Sequence, residues 1–287
     1  MSKLSKLLGK KYLTCLGIKP DVKSLNKQIN EIKKLAREIN CVLVYDNPDA
    51  SLSMNPLVCA LDLAAHGIEP IIQINCRDRN VLAIQSNLLA ASSRGLVNMQ
   101  AVTGVYPLEG LSNHMGLKTV YELDSSSLIK TMGYMNEGRD IAGNKLGGKT
   151  GFFIGSDLSV YAKPILAELH KTRKKSMLGA RFFITRPIYS ADELDSFINR
   201  YYKLFKQELR NRVIAGVKPL TSMIMIDAVR RQPNQIIPRD VVKRIGESAN
   251  PQREGMQYAI ELMDEIKELN IGGVYLVDDG VEVLNRV

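Results

Sequence analysis

The sequence predicts an α/β fold built as a single (β/α)8 TIM barrel, and three observations carry that reading. Apolar extended runs alternate with amphipathic helical stretches along the chain, eight such units fit within 287 residues, and no Gly-x-Gly-x-x-Gly follows the first apolar run. Alternating strands and helices make a parallel sheet with right-handed crossovers. Eight units in fewer than about 300 residues suit a closed barrel. A doubly wound sheet, the next candidate, would carry a glycine fingerprint after its first strand. No stretch rich in Pro, Gly or Ser divides the chain, so residues 1–287 are read as one domain.

The elements follow in order from period and apolar runs. Tyr12–Ile18 is an apolar strand, and Val22–Ile39 a helix with Leu25, Ile29, Ile32 and Leu35 on one face. Cys41–Tyr45 is the second strand, followed by the helix Pro56–Ala65; Pro70–Asn75 is the third, followed by Asn80–Ser93, where Val81, Leu82, Ile84, Leu88 and Leu89 repeat at helical spacing. Val97–Thr103 leads to the helix Ser125–Met135, Gly151–Ile154 to Lys163–Leu178, and Arg181–Thr185 to Ala191–Phe205. Arg212–Val217 leads to Met223–Arg231, and the helix Gln252–Leu269 precedes the last strand, Gly273–Val277.

A barrel of this kind places its ligand at the C-terminal ends of the strands. The residues there are unusually polar: Lys19, Asp46-Asn47, Gln73 to Asn80, Thr103-Gly104, Ser156-Asp157, Arg186, Lys218 and Asp278-Asp279. The densest run is Gln73-Ile74-Asn75-Cys76-Arg77-Asp78-Arg79-Asn80, which closes an apolar strand just before a helix begins. Two readings of this run stand together. Asp78 and Asn80 can cap the following helix while the arginines pair with acidic residues on neighbouring loops, or the cluster can contact a ligand. Cys76 reads as a small packing residue rather than a nucleophile, because no histidine lies near it in sequence. Two loops are long, Tyr106 to Asp124 after the fourth strand and Asn136 to Lys149 before the fifth. The first is either a ligand loop or a solvated excursion.

Composition narrows the function classes. The formal charge of +9 suits anionic ligands, although Lys and Arg are spread along helices rather than blocked. Four cysteines and three histidines show no zinc spacing, which predicts reduced thiols, a cytoplasmic setting and no metal. The N-terminus lacks the apolar core of a signal peptide, and no run is long enough to span a membrane. With 6% aromatic residues, no Trp and no basic stripe, nucleic acid is not an expected partner.

The ordered motifs resemble the methylenetetrahydrofolate reductase family, in particular its short bacterial and archaeal forms without a regulatory domain. The resemblance rests on Asp46-Asn47-Pro48, Gly67-Ile68-Glu69-Pro70, Cys76 to Asn80 with Gln85-Ser86 and Leu88-Leu89, Thr103-Gly104, Asn136 to Gly143, and Phe152 to Gly155. It continues through Gly179-Ala180 before Phe182 to Pro187, Gly216-Val217 with Pro219-Leu220, and Gly273-Val274-Tyr275. Each motif alone is weak, whereas their order along nearly the whole chain is specific.

The resemblance implies a flavoprotein of one-carbon metabolism, holding FAD, or FMN in its place, and reducing 5,10-methylenetetrahydrofolate to 5-methyltetrahydrofolate. Gln73, Thr103, Gly104, Asp124, Ser125 and Lys175 would then be cofactor-binding, with Arg186 and Met223 facing the folate. Lys175 has a second reading as a solvated member of the run Lys171-Thr172-Arg173-Lys174-Lys175. A homo-oligomer, or a partner subunit of a reductase or methyltransferase complex, is also implied.

Three departures fall where the family does its chemistry. Gly17 stands at the position of the acid that helps open the methylene bridge, Val105 replaces the Asp after Gly104, and Arg186 replaces the Gln of Thr-Gln-Pro. Loss of a positioned general acid costs about a hundredfold to ten-thousandfold in rate, and Arg186 favours an anion. Two outcomes remain open: a reductase with protonation from water, Asp46, Asp157 or Asp278, or a homologue that binds folate or another one-carbon carrier, with no flavin, as a methyl-transfer or complex subunit.

Overall fold

The computed structural model describes residues 2–107, 112–114, 116–277 and 280–285. The strands are β1 (Leu13–Ile18), β2 (Cys41–Val44), β3 (Pro70–Asn75), β4 (Asn98–Val102), β5 (Phe153–Leu158), β6 (Phe182–Pro187), β7 (Val213–Val217) and β8 (Gly273–Leu276), and their order closes as the barrel β1-β2-β3-β4-β5-β6-β7-β8. The helices are α1 (Lys3–Leu7), α2 (Leu25–Lys34), α3 (Pro56–Ala65), α4 (Val81–Ser93), α5 (Ser125–Asn136), α6 (Ile165–Met177), α7 (Ala191–Phe205), α8 (Met223–Arg231), α9 (Arg239–Gly246), α10 (Pro251–Glu268) and α11 (Gly280–Leu284). The expected fold class is therefore the observed one.

The chain contains two compact units, residues 1–6, 18–157 and 173–183 in one and residues 7–17, 158–172 and 184–287 in the other. In the first, β2 pairs with β3, β3 with β4 and β4 with β5, all parallel. The strands are apolar on both faces because helices cover one side and the barrel interior the other. Val42, Val44, Ile71, Met99 and Ala101 are accordingly fully buried. Helices start at side-chain caps: Asn80 accepts from Ala83 N at 2.8 Å and Asp124 from Ser127 N at 2.7 Å.

In the second unit, β8 lies between β1 and β7 in parallel register. Gly273 makes this pairing possible, since a Cβ there would lie 2.2 Å from the Leu13 carbonyl oxygen. A second apolar cluster packs α8 and α9 on the residues that follow β6 and β7: Tyr189, Leu220, Ile226, Val229, Ile237, Val241 and Ile245 are all buried.

Several boundaries differ from expectation. β5 runs to Leu158 and β6 to Pro187, so Asp157 and Arg186 belong to strands rather than to the loops beyond them. The helix expected from Val22 begins at Leu25, because the Asp21 side chain accepts from Lys23 N and Ser24 N and holds a turn there. The α9 helix was not expected, though Val241, Val242 and Ile245 follow Pro238 at helical spacing. Its eight residues are too short for a strong periodic signal. Gly273→Ala forces the β1–β8 pair apart, so a fall in stability of roughly 1–3 kcal/mol is expected, read from the urea midpoint.

Candidate functional site

The polar run after β3 folds around one side chain. Arg77 is only 1% exposed, and its guanidinium makes a two-point contact with Asp78, Nε to Oδ1 at 2.6 Å and Nη2 to Oδ2 at 2.7 Å. Its remaining donors reach the Asn47 carbonyl at 3.0 Å and the Val105 carbonyl at 3.1 Å. One planar cation therefore ties together the segments that follow β2, β3 and β4. A guanidinium suits this task because its donors are fixed in a fork.

A second ion pair lies beside it. Arg79 contacts the buried Asp46 through both carboxylate oxygens, at 2.5 and 2.8 Å, and Asp46 Oδ2 also accepts from Asn75 N. Asn75 completes the weave: its Nδ2 donates to the Asp46 carbonyl and to Asp78, while its Oδ1 accepts from Arg77 N and Asp78 N. Asn47, in a left-handed conformation with φ 46°, donates from Nδ2 to Asp78 at 3.0 Å. Burial pushes the Asp78 carboxyl up, but hydrogen bonds from Arg77, Asn47 and Asn75 with the Arg77 charge hold it below the usual range. The Arg79 guanidinium is held above its ordinary value by Asp46.

Of the readings open for this run, pairing is observed for both arginines and capping for Asn80. Asp78 is not the cap, because its carboxylate is taken by Arg77, Asn47 and Asn75. Cys76 is fully buried, and burial, with Asp124, Asp157 and Asp46 nearby, pushes its thiol up to about 12, so it is not a thiolate at neutral pH. The loop after β4 returns over this frame: Val120 N donates to the Arg77 carbonyl at 2.8 Å and Tyr121 OH to the Gly104 carbonyl at 3.3 Å.

The residues named as cofactor-binding lie in the same unit, and each is engaged by the protein. Gln73 accepts from Asp46 N and donates to Gln100 Oε1 at 3.0 Å. Thr103 Oγ1 accepts from Ser125 N at 3.1 Å and donates to the Ser125 hydroxyl. Gly104 has φ 87°, and a Cβ there would stand 2.9 Å from Arg77 Cβ, so the glycine is required by the guanidinium frame itself. Asp124 caps α5; burial raises its carboxyl, but the Ser127 hydrogen bonds and Lys174 bring it below its ordinary range. Lys175 is not solvated: it is 0% exposed, and its Nζ donates to Asp157 Oδ1 at 2.6 Å and to the Asp157 carbonyl at 2.7 Å.

These engagements fit a flavin dinucleotide poorly. A pyrophosphate needs a reachable cation or free N–H groups. Yet Lys175 is enclosed with Asp157, and the N-terminus of α5 is already occupied by the ionised Asp124. Val105 offers the site only its backbone carbonyl, which Arg77 takes.

The other named positions belong to the second unit. Gly17 is buried within β1. Arg186 donates from Nη1 to the Pro233 carbonyl at 2.9 Å. Met223 opens α8 and is 39% exposed. Asp278 lies outside the described residues. Sequence reasoning missed Gln100 and the central place of Arg77. An arginine directly after a strand, with Asp on its C-terminal side, was the available signal.

Among the described residues no group of His, Cys, Asp and Glu is arranged to hold a metal ion, and no helix is long and apolar enough to cross a membrane. A family model described as methylenetetrahydrofolate reductase matches residues 21–277. No curated protein matches. Among solved structures, an uncharacterized protein from Clostridium thermocellum that binds two copies of 5-methyl-5,6,7,8-tetrahydrofolic acid is similar, with TM-score 0.63 and 15% identity over 96% of this chain and 90% of that one. A phosphonopyruvate hydrolase complexed with oxalate and Mg++ is similar with TM-score 0.54 and 11% identity, over 99% of this chain and 83% of that one. At those identities the likeness is one of fold.

Arg77→Met removes the buried guanidinium and leaves the half-buried Asp78 carboxylate without its cation, and a loss of about 1–3 kcal/mol in urea unfolding is expected. The depressed Asp78 carboxyl stabilises the fold above the ordinary carboxylate range, near pH 4, and that stability is lost as pH falls through the lower folded value. Asp78→Asn should therefore flatten the acid limb of the stability profile while lowering stability at neutral pH.

Proposed function

The chain belongs to the methylenetetrahydrofolate reductase family, and from that premise we propose that it binds a reduced folate without carrying out the reduction. The observation that carries this reading is the fate of the carboxylates. Asp46 is paired with Arg79, Asp78 with Arg77 and Asp157 with Lys175. A general acid must hold a proton near the working pH and release it to substrate. A carboxylate held in an ion pair is stabilised in its ionised form and does neither well. Gly17 and Val105, at the two family positions expected to bear carboxylates, supply none.

Binding without reduction needs less. Cations that meet the carboxylates of a folate tail suffice, and Arg186 with the net charge of +9 is consistent with that demand. The folate reading is supported by family membership and by the similar Clostridium thermocellum protein, which binds 5-methyl-5,6,7,8-tetrahydrofolic acid. The role that follows is that of a carrier or complex subunit presenting a one-carbon unit to a methyl-transfer partner, with no step through a flavin.

Isothermal titration with 5-methyltetrahydrofolate should show saturable binding, and the purified protein should be colourless. A yellow protein whose flavin is bleached by reduced nicotinamide and reoxidised by methylenetetrahydrofolate would overturn the reading. Restoring Gly17→Glu, Val105→Asp and Arg186→Gln together should raise reductase activity above an absent baseline only in a protein that also takes up flavin.

A further inference from the structure

Helix α4 differs from every other described helix of the fold. None of its 13 residues is charged, whereas each of the others carries at least one charge, in a chain of which 24% is Asp, Glu, Lys or Arg. Its inner face is ordinary, with Ile84, Leu88 and Ala91 buried. Its outer face is not. Leu82 is 74% exposed and Leu89 41%, and around them Ala83, Ser86, Ala90 and Ser93 are all open to solvent. A helix that is apolar on both sides is normally covered on both. Exposed large apolar side chains in a patch without charge mark an interaction surface. The patch continues past the helix, because Ile141 N donates to Gln85 Oε1 at 2.9 Å and so lays Ile141, 38% exposed, against α4.

We propose that α4 packs antiparallel against α4 of a second copy of this chain, across a two-fold axis. The order of side chains selects that occupant. Leu82, Ser86, Leu89 and Ser93 recur along one stripe at the alternating four- and three-residue spacing of a helix-packing seam. Read in the opposite direction the stripe is Ser, Leu, Ser, Leu, so an axis between Ser86 and Leu89 sets each leucine of one copy against a serine of the other. Large meets small along the whole seam, and one patch serves both copies, as an isologous contact requires. Charge points the same way. Two chains of net charge +9 repel each other, and α4 is a face on which they meet without opposing cations. The charges that flank the helix are complementary: Glu122, whose Oε2 accepts from Val81 N at 2.8 Å, stands at its N-terminal end, and Arg94 is its C-cap. Both are exposed, and antiparallel pairing brings Glu122 of each copy to the partner's Arg94. Ser93 Oγ donates to the Ala90 carbonyl at 2.8 Å, so covering that serine leaves no donor unpaired.

Sedimentation equilibrium of the full chain over a range of concentrations should give the mass of two copies. Leu82→Glu should raise the dimer dissociation constant about 10–100-fold while leaving the far-ultraviolet circular dichroism unchanged, since the side chain is exposed in the single chain. Arg94→Glu should also weaken the dimer, and adding Glu122→Arg to it should restore the pairing. The antiparallel register is tested by mixing Leu82→Cys protein with Ser93→Cys protein and oxidising with diamide. The mixture should yield a disulfide-linked dimer and neither variant alone should, because the four native cysteines are buried. A wild type with the mass of one chain at every concentration overturns the proposal and leaves the face to a different protein. A dimer that survives Leu82→Glu and gives no mixed disulfide overturns it in favour of another surface.

Discussion

The strand-end architecture of the first unit depends on the buried guanidinium of Arg77. Asn47, Asp78 and Val105 lie beyond the ends of β2, β3 and β4, outside the strand ladder. Each instead presents an acceptor to the same planar cation: the Asn47 carbonyl, the Asp78 carboxylate and the Val105 carbonyl. Burying a charge is costly, and only full hydrogen bonding with a counter-ion offsets that cost. The requirement explains the company Arg77 keeps. Asp78 neutralises it, Asn75 and Asn47 orient Asp78, and Gly104 leaves the space its stem occupies.

The same logic governs the other ions of this unit. Asp46 is buried and takes Arg79; Lys175 is buried and takes Asp157. Three carboxylates therefore meet three cations, and each pair is held by further bonds to backbone or amide groups. Such an arrangement is preorganised, and each of its carboxylates already has a cation as partner. Proton transfer from any of them would require breaking an ion pair.

Much of the fold was legible in the sequence because strand and helix periods are local signals. The runs Pro70–Asn75 and Ala191–Phe205 match β3 and α7 end to end. The site was legible as a location and not as a wiring diagram. The density of polar residues from Gln73 to Asn80 marked a strand end, yet which acid meets which arginine depends on the register between strands. Asp46 is 33 residues from Arg79, and the arginine adjacent to Asp78 in sequence is also its partner in space. Lys175 shows the limit most clearly. Its neighbours Lys171 and Lys174 are exposed, and only the rotation of α6 decides that Lys175 faces inward. Gly104, expected among the cofactor-binding residues, makes room for Arg77. The short α9 was missed because eight residues carry too few turns to establish a period.

The departures from the family pattern make sense against this wiring. At position 105 the frame uses only the backbone carbonyl, which every residue supplies, so replacing Asp by Val leaves the Arg77 contacts whole. A change at Arg77, Asp78, Asn75 or Gly104 would instead orphan a buried charge or fill occupied space, and each of these retains the residue type its contacts require. Chemistry and framework are thus separable in this unit. The side chain at position 105 projects from a backbone that does the structural work, and it can vary without cost to the Arg77 contacts. The side chains that build the frame cannot.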